Sequence, residues 1–200
     1  MTKLRLSLKH LELAEIARLL SVDPETCRHL AEACPTCGER LQEVEALMKR
    51  FQHWDPEVAV LEGLPAESLF ATLMAAGQDG TSWFSLVDEK VNLQTWGVAW
   101  VALEQAREQM TDEASRPRAR DLALLAARIA ETLGTTYHPD SVADLKARAY
   151  ATAAAVEPSG ANFVGSRLKR MAAAVMALEQ GSGDETVARE VWGLLSQVIR

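Results

Sequence analysis

The sequence predicts an all-α fold, on three observations. Alanine and leucine dominate while β-branched and aromatic residues are sparse, which favours helix over sheet. Apolar residues recur at the helical period from position 11 onward, in stretches that read as helices of roughly 12 to 20 residues, with helix-stopping chemistry at several of the breaks. The 200 residues are 48% hydrophobic, enough for a sizeable core in one domain, or in one domain with a small appendage.

Residues 1–9 differ from the rest, because apolar and polar side chains alternate at the strand period. They read as a frayed terminus, or as an edge strand that pairs with a partner chain or a second copy. From His10 the period changes, and Leu11, Ala14, Ile16, Ala17 and Leu20 trace one helical face as far as Ser21 and Val22. Asp23-Pro24 then caps and opens a second helix to about Ala33. Pro35 disfavours α backbone at Cys34 and opens a third helix, which runs to about Phe51 through Leu41, Val44, Leu47 and Met48.

His53-Trp54-Asp55-Pro56 reads as a linker with another Asp-Pro helix start. Further helices are expected near 57–62, 65–76, 81–90, 92–112, 117–133, 140–156, 160–180 and 184–199. Gly63, the Gly77-to-Gly80 turn, Gly134, His138-Pro139-Asp140, Pro158-Ser159-Gly160 and the Gly181-to-Asp184 stretch separate them. A weak repeat appears on a shift of 47 residues, which lays Arg120, Ala126, Ala127, Ala130 and Gly134 on Arg167, Ala173, Ala174, Ala177 and Gly181. Small residues on that face suit stacked antiparallel helix pairs.

Net charge is −7, with both signs interleaved, so direct nucleic-acid binding is not expected. Arg116, Arg118 and Arg120 form the one local basic cluster and read as a solvated first turn. No run approaches 18 consecutive apolar residues, so no membrane span is expected. Arg5 and Ser7 interrupt Leu4, Leu6 and Leu8, which is not a secretory signal. All three cysteines fall between Cys27 and Cys37; their clustering and odd number point to metal or redox chemistry in a reducing, cytoplasmic setting.

The segment from His29 to Cys37 carries the chemistry. Two cysteines three apart, the second on a fresh helical turn, can aim both sulfurs at one Zn²⁺, which takes four ligands and prefers thiolate and imidazole. His29 supplies a third ligand, and a fourth should come from another element: His10, at the start of the first helix, or Cys27. Cys27 lies two residues from His29, about 200° around a helix, so those two do not easily face one ion. The rival readings are a thioredoxin-like dithiol, which normally follows a strand in a βαβ unit, and ordinary buried thiols.

The stretch from His10-Leu11 through His29 to Cys34-Pro35-Thr36-Cys37 resembles the zinc-binding anti-sigma domain, which has a His on its first helix and then a His-x-x-x-Cys-x-x-Cys motif. That resemblance implies His10, His29, Cys34 and Cys37 as ligands, although His29 and Cys34 are five residues apart here rather than four. The rest is similar to the tetratricopeptide-like helical region that follows such a domain in some bacterial proteins. Thr95-Trp96-Gly97, Ala126-Ala127 with Ala130-Glu131, and the run Val142 to Ala149 carry that similarity.

The expected organisation is a zinc-stapled helical domain over 1–52 and a tetratricopeptide-like array of antiparallel helix pairs over 53–200. The expected function is regulatory binding of a protein partner, by resemblance a sigma factor, rather than catalysis. No phosphate loop or catalytic constellation is visible, and a closed four-ligand site leaves no position for substrate. Val44, Leu47 and Met48 would meet the partner if exposed, and Trp96 with Trp100, four apart on one face, would add an anchor. Buried, they belong to a scaffold or adaptor in which zinc is purely structural. A third alternative is a zinc–thiol redox sensor, in which oxidation joins Cys34 to Cys37 and expels the metal.

Overall fold

A computed structural model describes residues 10–52, 55–76, 80–134, 137–158 and 160–199. The fold is all-α: ten α-helices and no strand lie among the described residues. The alternating segment 1–9, the pairing expected of it, and His53-Trp54 lie outside them.

The helices are α1 (Leu13–Val22), α2 (Pro24–Ala33), α3 (Pro35–Phe51), α4 (Pro56–Ala76), α5 (Gly80–Glu89), α6 (Trp96–Gln109), α7 (Arg116–Thr132), α8 (Pro139–Val156), α9 (Val164–Glu179) and α10 (Glu185–Ile199). Backbone contacts divide the chain into two compact units, Met1–Leu64 and Pro65–Arg200.

In the first unit, α1 opens on a capping box in which the Glu12 N–H donates to the Glu15 carboxylate at 2.8 Å. Asp23 caps α2, accepting from the Thr26 N–H at 3.1 Å and the Thr26 hydroxyl at 2.6 Å, with Pro24 in the first turn. Ile16, Ala17, Cys27, Leu41, Val44 and Val60 form the core, and Leu47 and Met48 pack partly buried against it. The break expected at Gly63 is absent, because α4 runs continuously from Pro56 to Ala76. Gly63 serves packing instead: a Cβ there would lie 2.7 Å from the Phe51 ring, which is sealed at 1% exposure.

One 18-residue window of α4 reaches a mean hydropathy of 1.4 with 28% of it buried, so by length and composition this helix could cross a bilayer. Glu57, Glu62 and Glu67 punctuate it, and carboxylates at bilayer depth are costly.

In the second unit the helices pack in series, α6 on α7, α7 on α8 and α8 on α9, while α10 packs back on α8. Alanine carries much of this packing. Ala123, Ala126, Ala127 and Ala130 of α7, Ala147, Ala151 and Ala154 of α8, and Ala174 of α9 are all buried to 2% or less. Small side chains let helix backbones approach closely, so the alanine-rich stretches suit tight helix pairs.

Polar anchors complete this unit. The Asp144 carboxylate of α8, 7% exposed, accepts from the Ser182 N–H at 3.1 Å and the Ser182 hydroxyl at 2.5 Å, holding the turn between α9 and α10. Arg107 and Arg148 both pair with Glu190 of α10, and their guanidinium carbons lie 5.9 and 5.4 Å from the Trp100 ring centre. Burial lowers the Arg107 pKa, against the opposing pull of Glu190. Paired and stacked in this way, buried Arg148 and partly buried Arg107 avoid the large cost of isolation.

Candidate metal centre

Local chemistry at the start of α3 sets the two cysteines. Cys34 occupies the N-cap with extended backbone (φ −136°, ψ 108°), and Pro35 follows in the first turn. Cys37 then lies one turn further along, 7% exposed and facing the core. Gly38 lets α2 and α3 approach closely at this point, since a Cβ there would meet the Ala31 carbonyl oxygen at 3.1 Å.

His10 reaches these thiols from outside the helix. Its Nδ1 lies 3.3 Å from Cys34 Sγ, and one ligand atom from each of His10, Cys34 and Cys37 falls within 4.8 Å of the other two. A residue that sequence reasoning missed holds that segment in place. Arg40, one turn beyond Cys37 on α3, donates through Nη1 to the Leu11 carbonyl oxygen, and its Nη2 lies 3.4 Å from a Glu12 carboxylate oxygen. Nothing in the hydropathy pattern marks Arg40; the motif spacing alone could have drawn attention to the first turns of α3.

The Cys37 backbone amide, the Cys37 thiol and then His10 lower the Cys34 thiol to about 7, against some desolvation. The thiol is thereby drawn toward its thiolate, the form that binds metal. Cys27 behaves oppositely: burial raises its pKa, and its sulfur faces the Ile16 carbonyl oxygen at 3.8 Å. It is a core thiol.

No family model matches the chain, and neither a curated protein nor a solved structure matches it. The chemistry of the site therefore rests on its donor atoms.

Of the four expected ligands, three come together and His29 stands apart. It lies on the open face of α2, 80% exposed, with Nδ1 3.6 Å from a Glu32 carboxylate oxygen. The reason is local: α2 ends at Ala33 and Cys34 turns into extended backbone, so the five-residue spacing does not carry His29 round to the thiols. His10, Cys34 and Cys37 form a group able to hold a metal ion.

The expected partner-facing residues are mostly interior. Val44 is fully buried in the core of its unit, and Leu47 and Met48 pack half-buried against that core. Trp96 and Trp100 are 2% exposed, so the anchor expected of them is corrected: they are core side chains. Trp96 stacks at a tilt on Tyr137 with ring centres 6.1 Å apart, and Trp100 Nε1 donates to Glu104 at 3.0 Å.

Proposed function

We propose that the chain is a zinc-binding regulatory protein that works by binding a protein partner. The observation that carries this reading is the meeting of His10 with Cys34 and Cys37. Zn²⁺ bound through sulfur at about 2.3 Å and nitrogen at about 2.0–2.1 Å sets an N-to-S tetrahedral edge of about 3.5 Å, and the 3.3 Å between His10 and Cys34 is close to that edge. One imidazole and two thiols are also the donor set Zn²⁺ prefers among common divalent ions. Such a metal ties the segment before α1 to the start of α3, and its binding energy becomes folding energy for the first unit.

By its resemblance to the zinc-binding anti-sigma domain, the partner is a sigma factor, and the second unit is a tetratricopeptide-like support. A specific observation favours a second reading, an adaptor in which the metal organises the fold alone. The apolar face of α3 is spent on its own unit, with Val44 at 0% and Leu41 at 8% exposure. Affinity capture of the full chain from its native host, with metal analysis of the same preparation, separates the two. A sigma factor released on chelation supports the first reading; a different stable partner that survives chelation supports the second. A preparation with no bound zinc would falsify both.

A further inference from the structure

The three donors are not equally enclosed. Cys37 is buried at 7% exposure, Cys34 is half-buried and His10 is exposed, so the group opens in one direction, toward solvent. Among the described residues, the nearby side chains with donor atoms have other neighbours. His29 stands 80% exposed beside Glu32. Cys27 Sγ is turned into the core toward the Ile16 carbonyl oxygen. Glu15 closes the capping box of α1, and Glu12 lies against Arg40. Among the described residues the donor group holds three members, whereas Zn²⁺ takes four ligands.

We infer that a metal ion held by His10, Cys34 and Cys37 keeps its fourth coordination position on the solvent side, filled by a water that a small thiol can displace. The inference rests on the metal reading above and deepens it, because the metal becomes an exchangeable centre rather than a sealed staple. Exchange needs no redox partner: the incoming thiol loses its proton to solvent, its sulfur binds the metal, and the water leaves. Three-ligand metal sites with an open position behave in this way, whereas closed four-ligand sites do not.

Co²⁺ loaded into the full chain reports the coordination directly, through its d–d bands and its thiolate-to-metal charge-transfer absorption. Titration with 2-mercaptoethanol should shift the d–d bands and raise the charge-transfer absorption by about half, as two thiolates become three. His29→Ala and His53→Ala should leave the spectrum unchanged and the Zn²⁺ affinity within about twofold, since the inference gives neither a place in the ligand set. Stoichiometric Co²⁺ with bands that the thiol does not move overturns the inference while leaving the metal reading intact. A changed spectrum in either His variant does the same, as does metal-dependent pairing of two chains, which would place a second copy's side chain in the fourth position. Failure to bind Co²⁺ or Zn²⁺ at all overturns both.

Discussion

His10 Nδ1 lies 3.3 Å from Cys34 Sγ, across 24 residues of sequence. If the contact marks a metal site, removing either partner removes a ligand. Cys34→Ser and His10→Ala should each weaken Zn²⁺ binding by at least about 100-fold, more than loss of a supporting residue costs. Competition against a chromophoric chelator measures this, with His29→Ala as the control that stays near wild type.

Arg40 should behave as a positioning residue. Its bond to the Leu11 carbonyl oxygen fixes the segment that carries His10, without touching the donor atoms. Arg40→Ala should lower Zn²⁺ affinity by roughly 10- to 100-fold while leaving the Co²⁺ spectrum of the saturated protein unchanged. A spectrum that changes would show that Arg40 alters the ligand set itself.

Gly181 and Asp144 should show strong coupling. A Cβ at Gly181 would fall 2.0 Å from the Asp144 carboxylate oxygen that accepts from the Ser182 N–H, while the Ser182 hydroxyl donates to the other oxygen. Gly181→Ala should therefore cost roughly 1–3 kcal/mol in urea unfolding, the usual range for overpacking. In the Asp144→Ala background the same substitution should cost much less, giving a non-additive cycle.

Alkaline stability should depend on Tyr150. Burial, and then the 2.6 Å hydrogen bond its hydroxyl donates to Glu131, push this phenol up to about 12. An unfolded tyrosine ionises near 10, so between the two values the unfolded chain releases a proton that the folded chain retains. The contribution is full below about 10 and fades as pH rises toward 12. The urea midpoint should fall more steeply from pH 9 to pH 11.5 in wild type than in Tyr150→Phe, and equal slopes would refute the assignment.

The parts of the fold legible in the sequence are those where local chemistry decides. Pro24 and Pro35 open α2 and α3 as expected, because proline in a first turn and an Asp cap act within four residues. Gly63 misleads for the opposite reason: it reads as a stop, yet its missing side chain makes room for Phe51, twelve residues earlier. The site divides in the same way. Cys34 and Cys37 are legible from spacing, whereas spacing ranks His29 ahead of His10, and the helix break at Cys34 with the Arg40 bond to Leu11 reverses that order. Trp96 and Trp100 share a face in either reading, and only burial shows that the face is interior.

The alanine-lined helices of the second unit imply a lopsided tolerance to genetic change. A core built of leucine or phenylalanine is damaged chiefly by truncation, which leaves holes. At Ala123, Ala126, Ala130 and Ala174, each 0% exposed, little can be truncated, and almost every available codon change adds bulk. Drift at these positions is confined to glycine and serine, each with its own helix penalty, so α7 and α9 should accumulate variation on their outward faces alone.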